Sequence, residues 1–449
     1  MLYAVSGNEW PDARVVTISF EPDGTNLGGV YSNLFSTFDA NPNLVGWQTE
    51  ILRAAQTWAA ATNINFVLVS DSGAGTGSGS YQQGSPTIGD IRIGGYNFGA
   101  SPLAAASYPP PVNNFSVAGD IDFNTDYAST YSLGGSIDLF TVAVHEFGHA
   151  LGLDHSTVST SQMYQYYTTV KPSLTSDDLA GIRNIYSNNN ARGVDNYDKP
   201  SNNNSFGDAS NITAPLVRSK KWAIIEDLDV TTTSDVDFYK VKIPSWADST
   251  LTVNVQSAGL SLLAPKVTLY AENQTTVLGT ATGTSGSTLS LSITGTSSGN
   301  WYYIKVEGAT TTSAFGTGKY GLTLDVGATT PPVLPLPNTT KLNGSPIQGG
   351  LHINDSFEAA PSGADTVAPA APTIAVASPK QVSLIGTAEA LTQITIYQDG
   401  LAIGTTATDT FGSWTYKLSR KLAKGHFQFT ATATDESGNV SLQSELLIP

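Results

Sequence analysis

Apolar and polar positions alternate from Val15 to Phe20 (VVTISF), the two-residue period of a half-buried strand, and Asp23-Gly24 beyond it supplies turn chemistry. The period then changes. Between Trp47 and Ala61 the apolar residues Ile51, Leu52, Ala55, Trp58 and Ala59 recur at three- and four-residue steps, which places them on one face of a helix. Ile64 to Val69 reads as a second strand, the Gly/Ser-rich run Asp71 to Gly79 as a loop, and Asp90 to Gly94 and Ala118 to Phe123 as short strands. Pro109, Pro110 and Pro111 hold the intervening chain extended, because each has a fixed φ and no amide donor. A second helix is expected from about Asp138 to Leu151, with Ser136 and Asp138 near its start and Gly152 just past its end. A third runs from Leu174 to Tyr186 and opens on the cap and acidic first turn Thr175-Ser176-Asp177-Asp178.

The pattern shifts after about residue 190. Ser187 to Ser205 is rich in Asn and Asp and reads as a linker or a cation-binding turn. From Trp222 to Val326, short alternating runs such as Phe238 to Ile243 and Trp301 to Val306 recur between Gly/Ser/Thr turns, the pattern of a β-sandwich. Thr329 to Ala371 is dense in Pro, Asn and Ser and reads as an extended linker; within it Asn354-Asp355-Ser356-Phe357-Glu358-Ala359 echoes Asn204 to Ala209. Beyond Pro372, the runs Val382 to Ile385, Ile394 to Tyr397, Trp414 to Leu418 and Phe427 to Ala433 predict a small all-β module. The organisation expected is therefore 1–190, 191–328, a linker at 329–371, and 372–449.

Composition narrows the chemistry. Charged residues make up only 13% of the chain, while Gly, Ser, Thr and Asn are plentiful, which suits strands and turns over long surface helices. The formal charge of −16 gives no basic patch for a phosphate backbone, so nucleic acid and anionic membranes are not expected partners. With no cysteine, disulfides, thiolate ligands and a cysteine nucleophile are excluded, and any metal must use nitrogen or oxygen. No stretch is long and apolar enough to span a bilayer, and Met1 to Gly7 lacks the character of a secretory signal, so no signal peptide is visible.

One constellation carries chemistry. His145-Glu146-Phe147-Gly148-His149 sets two imidazoles four residues apart, on one helical face about one turn apart. Ala150 to His155 adds a third, and Gly152 can adopt the positive φ that lets the chain leave the helix and swing His155 back. Three neutral imidazoles suit Zn²⁺ and leave a fourth position for water. Glu146, beside a ligand, is placed to take that water's proton and deliver it to a leaving amine. Histidines on an apolar helix face are often core residues, but the chain has five histidines and three fall within this one window. His352 and His426 have no partner in sequence and read as structural.

On these residues the first 190 or so resemble the catalytic domain of a matrixin, among the metzincin metallopeptidases. Ser156 after the third histidine is similar to the matrixin choice, and Met163 follows at the distance expected of the Met-turn beneath the metal. Tyr164-Gln165-Tyr166-Tyr167 resembles the segment lining the primed-side specificity pocket, with Gln165 where proline is usual. Ser176 to Ile182 looks like the closing helix and Ala54 to Phe66 like the first helix and the strand after it. Gly119 to Phe123 resembles the strand beside the site but lacks its histidine, so the resemblance implies one zinc rather than two. Asp120, Asp122, Asn124 and Asp126 are candidate oxygen ligands for calcium, set against plain strand alternation as the competing account of their spacing. The inhibitory propeptide cysteine is missing.

The middle region, through Asp195-Asn196-Tyr197 and Asp235 to Tyr239, resembles the prepeptidase C-terminal domain of secreted bacterial peptidases. The last, through Gly386 to Glu389, Gly412-Ser413-Trp414 and Ala431 to Asp435, is similar to bacterial immunoglobulin-like repeats. Asp195, Asp235 and Asp237 are candidate calcium ligands, with exposed turn acids as the preferred account. The fold expected is thus multi-domain: an N-terminal α/β metzincin (zincin-like) catalytic domain followed by two all-β sandwich domains. The function implied is that of a secreted bacterial zinc metalloendopeptidase acting on protein or peptide substrates, with C-terminal β domains for surface or substrate docking. The alternative is a cell-surface adhesin that retains a zinc site.

Overall fold

Val16–Phe20 (β1) forms as the alternation requires, and Trp47–Ala61 (α1) follows, turning Ile51, Leu52, Ala55, Trp58 and Ala59 inward. The computed structural model of the chain describes residues 3–76, 83–85, 87–99, 102–110, 116–199, 201–337, 354–359, 368–378, 381–389, 392–408, 412–418, 428–434 and 439–447. His352 and His426 lie outside them. The next strands are Phe66–Leu68 (β2), Ile91–Tyr96 (β3), Ala104–Ser107 (β4) and Ile121–Asn124 (β5). β2, β1, β3 and β5 lie parallel in that order, and β4 runs antiparallel along β5. Parallel strands buried on both faces need no alternation, and β3 is accordingly buried almost throughout.

Helix Leu139–Ala150 (α2) packs beneath this sheet. Asp138 caps it by accepting from the Thr141 amide at 2.9 Å, and every residue in it is buried. Trp58 of α1 donates its indole N–H to the Val144 carbonyl at 2.9 Å and fixes the two helices against each other. Tyr166–Tyr167 (β6) is a two-residue strand past the metal site, and Ser176–Tyr186 (α3) opens on a reciprocal Thr175/Asp178 capping box.

The sheet has one further member. Asn354–Ala359 (β7), inside the stretch read as extended linker, is a strand: it pairs antiparallel with β4 and parallel with β6, giving the order β6-β7-β4-β5-β3-β1-β2. An extended segment was expected here, but its hydrogen-bonding partners are far away in sequence.

Two sheets between Ser210 and Asp325 face each other, one of five strands and one of four, over a core that includes Val230, Tyr239, Val253, Ile304 and Leu322. This sandwich shares apolar contacts with the first domain through Leu262, Ala264 and Phe315. Arg192 stitches them together: its guanidinium donates to both Asp229 oxygens, to the carbonyls of Ala59, Thr62 and Ile64, and to Asn65 Oδ1. Residues Met1–Ala359 accordingly form one compact unit and Ala360–Pro449 a second. The second unit has two three-stranded sheets around Leu384, Ile394, Ile396, Trp414 and Phe429.

Candidate metal centre

His145 and His149 project from the same side of α2, with ring centroids 4.7 Å apart. The chain leaves the helix at Gly152, whose φ is +98° and where a β-carbon would meet the Asn8 carbonyl oxygen at 2.1 Å, so no other residue fits. That exit returns His155 to the pair, with centroids 5.3 Å from His145 and 4.8 Å from His149. One nitrogen from each of the three lies within 4.8 Å of the others.

The hydrogen bonds fix what those nitrogens are. His145 Nδ1 stands 2.6 Å from the Gln162 carbonyl oxygen and His149 Nδ1 2.9 Å from that of Leu153, so both Nδ1 atoms carry the proton and donate it. Burial, reinforced by the neighbouring His149 and His155, pushes the His145 pKa well below its ordinary value and keeps the ring neutral. The Nε2 atoms of His145 and His149 therefore face each other as lone pairs at 3.0 Å, an approach that is repulsive unless a cation lies between them. Two ligand nitrogens about 2.0–2.1 Å from a tetrahedral zinc would stand only slightly further apart than that. The residues fit the metal, and their second nitrogens are already oriented by backbone carbonyls as metal-bound imidazoles usually are.

Glu146 lies between the two histidines on α2 and is fully buried. Burial, and after it the neighbouring Glu146 charge, raises the pKa of the Tyr131 hydroxyl, which donates to the Leu103 carbonyl. Met163 packs under the motif: a β-carbon at Gly148 would lie 2.1 Å from its sulfur, so the glycine between the ligands makes room for the methionine. The Met163 loop is held by Ser161 and Asp178, to which its amides donate, and by Lys171, whose ammonium donates to the Ser161 carbonyl.

Tyr164 and Tyr167 are buried, Tyr166 is half-buried and Gln165 is exposed. The Tyr167 hydroxyl accepts from the Asp138 amide at 2.8 Å, so the Tyr164–Tyr167 segment is anchored to the start of the histidine-bearing helix. Phe357 of β7, which sequence reasoning left in a linker, is fully buried against this wall. Its ring lies flat on His145, with centroids 3.9 Å apart and planes 12° from parallel, and edge-on to Tyr167 at 5.8 Å. An aromatic residue set among acids in a Pro/Asn/Ser-rich stretch was the only signal available for it. Tyr108, also missed, stands edge-on to His149 at 5.8 Å.

The proposed calcium residues fall into separate networks. The Asp120 carboxylate accepts from the Arg92 amide at 3.1 Å, and Asp122 lies beside Glu21. Burial, and then the Glu21 charge, raises both carboxyl pKa values. Arg92 sits among these acids, paired with Glu21 at 3.0 Å and Asp71 at 2.8 Å. Asn124 donates to the Gly99 and Pro102 carbonyls and accepts from the Phe98 and Asp126 amides, while Asp126 accepts from Asn97. Asp195, Asp235 and Asp237 are not the exposed turn acids preferred from sequence. All three are buried, because Asp195 accepts from the Tyr197, Asp198 and Asp229 amides, Asp235 from those of Thr231 and Val236, and Asp237 from the Tyr320 hydroxyl. Asp195, Asp198 and Asp237 bring one oxygen each within 4.8 Å of the others.

A helix bearing two imidazoles one turn apart, a third swung back by glycine and a methionine loop beneath them define a zincin-type metal centre. Residues 38–187 match the matrixin family model, and residues 368–449 match that of the bacterial Ig domain. The chain is 42% identical over 112 residues to karilysin of Tannerella forsythia, covering 22% of this chain and 23% of that one. It is 37% identical over 196 residues to the hatching enzyme of Paracentrotus lividus, covering 41% and 30%. Human matrix metalloproteinase-16 is 37% identical over 204 residues, covering 41% and 28%. The chain thus spans less than a third of the length of each of these relatives. A solved biofilm-associated protein BSP domain aligns with 48% of this chain and 30% of its own at 15% identity and a TM-score of 0.17, too slight a likeness to carry an argument.

Proposed function

We propose that the chain is a zinc-dependent endopeptidase that hydrolyses peptide bonds of extended protein substrates, with His145, His149 and His155 as ligands and Glu146 as general base. The observation that carries this reading is the 3.0 Å approach of two deprotonated Nε2 atoms, each held in that tautomer by a carbonyl on its other nitrogen. Bound there, zinc supplies a Lewis acid that polarises a carbonyl and acidifies water. Glu146 takes the proton from that water and hands it to the departing amine. The side of β4 along which β7 lies is the side that would pair with a peptide substrate once β7 is displaced, and Tyr164, Gln165, Tyr166 and Tyr167 would wall the adjoining pocket.

The remaining parts of the reading are an extracellular, secreted enzyme, a prepeptidase-like middle sandwich, and a C-terminal immunoglobulin-like module that docks to a surface or substrate. Their support is the sequence resemblance; separately, among the described residues no helix is long and apolar enough to cross a membrane. Calcium at Asp120, Asp122, Asn124 and Asp126 is a subsidiary part, and Arg92 already supplies a buried cation to the first two.

Casein cleavage by the zinc-loaded protein, abolished by chelator, tests the main reading. In Glu146→Ala, zinc stoichiometry measured by atomic absorption should hold at one while turnover falls roughly 10²–10⁴-fold. Zinc-loaded protein that cleaves nothing would instead point to a surface adhesin with a retained metal site.

A further inference from the structure

β7 runs past the three histidines as an extended strand. It extends the catalytic sheet by pairing antiparallel with the edge strand β4, with Asn354 opposite Ser107 and Phe357 opposite Ala104. It then runs parallel to β6, with Glu358 opposite Tyr166 and Ala359 opposite Tyr167. An extended peptide captured at a sheet edge, with one side chain sunk in a neighbouring pocket, is the usual geometry of strand-addition recognition. Here the side chain is Phe357, buried against the ring of a metal ligand and the pocket wall.

We propose that Asn354–Ala359 is a substrate of the chain's own metal site, cleaved in cis between Ser356 and Phe357 so that the immunoglobulin-like module is released. The proposal rests on the endopeptidase reading above. The bond follows from the strand's hydrogen bonding. The Phe357 carbonyl accepts from the Leu103 amide at 2.9 Å and is therefore engaged with the β4 side. Successive carbonyls of an extended strand point to opposite sides, so the Ser356 carbonyl faces away from β4 and is free of that ladder. Of the two peptide bonds flanking the residue that lies on His145, the one through Ser356 can present its carbonyl for attack.

Water's oxygen adds to the Ser356 carbonyl carbon, and the bond to the Phe357 nitrogen breaks. The proton taken by Glu146 passes to that nitrogen. Ser356 is left as a carboxylate and Phe357 as an ammonium, with both water protons on the amine. The products are a chain ending at Ser356 and one running from Phe357 to Pro449, which carries the whole of the second unit.

The test uses the full chain. On zinc addition, wild type should yield a fragment whose first residue is Phe357 by N-terminal sequencing and mass, at a first-order rate independent of protein concentration, while Glu146→Ala stays whole. Independently of turnover, zinc-free Glu146→Ala should protect the Leu103 amide from hydrogen exchange, and adding Phe357→Asp should remove that protection. In active protein, Phe357→Asp should block the cut. A peptide of residues 351–362 should be cut at Ser-Phe. Cleavage of casein without cleavage at Ser356–Phe357, or a β7 that protects Leu103 but is never cut, overturns this inference and leaves the endopeptidase reading standing. Cleavage of neither casein nor the chain removes both.

Discussion

Gly148 faces Met163 so closely that a β-carbon on the glycine would lie 2.1 Å from the sulfur. The residue between the two helical histidines and the residue packed beneath them are thus one steric unit, separated by fifteen positions in sequence. Gly148 lies in the last turn of the helix, where glycine still costs up to about 1 kcal/mol relative to alanine, so the close approach must offset a loss of helix propensity.

That unit predicts a sign reversal. Gly148→Ala, which would stabilise an ordinary helix, should destabilise this one by about 1–3 kcal/mol through overpacking and should weaken zinc binding. Met163→Ala alone should also destabilise, by about 2–5 kcal/mol, because it opens a cavity. The double variant should cost clearly less than the two single costs added together. Urea denaturation of all four proteins reads the coupling, and additivity would mean that the two residues do not press on each other.

Metal removal should be visible as stability. At a free zinc concentration about 100 times the dissociation constant, binding only to the folded state adds about 2.7 kcal/mol, which for a unit of this size raises the midpoint by roughly 3–4 °C. Differential scanning calorimetry should show that rise in the transition of the first unit and its loss with chelator. His145→Ala should show no zinc-dependent shift, and a shift that persists there would place the ion elsewhere.

Much of this was legible in the sequence for a local reason. α1 and α2 declare themselves through three- and four-residue apolar spacing and through caps, and the metal motif lies on one helix and its exit, so spacing alone fixes its geometry. β4 has the sequence Ala-Ala-Ala-Ser, which has neither alternation nor branched residues, and it is a strand only because β5 and β7 flank it. β7 was hidden for the same reason, because its partners lie more than 180 residues away in sequence. Asp195, Asp235 and Asp237 look like surface turn acids as letters, and only the amides and hydroxyl that approach them make burial affordable.

Arg192 should be the residue on which the union of catalytic domain and sandwich depends. It is nearly inaccessible and donates to Asp229, Asn65 and three carbonyls of the α1 exit. Arg192→Ala leaves Asp229 as a buried carboxylate with its principal partner gone, an expected loss of about 3–5 kcal/mol. Arg192→Lys should recover little, because one ammonium cannot reach a carboxylate, an amide oxygen and three carbonyls in a fork. Limited proteolysis of each variant checks this, with new cutting between the matrixin domain and the sandwich as the expected outcome.

Asp90 sets a pH dependence of known sign. It is buried, and burial pushes its carboxyl pKa up to about 6, although the amides of Thr17 and Gly84 donate to it. The unfolded chain ionises this group near 3.8, so between those values the folded state holds a proton that the unfolded state has released. Stability from this group is therefore full below about pH 4 and is lost as pH rises through 6, by roughly 3 kcal/mol at most. Asp90→Asn cannot ionise and should remove that share of the slope. Chemical denaturation midpoints for both proteins at several pH values from 4 to 7 should converge or cross in that window, and parallel curves would show that the Asp90 pKa is not raised by folding.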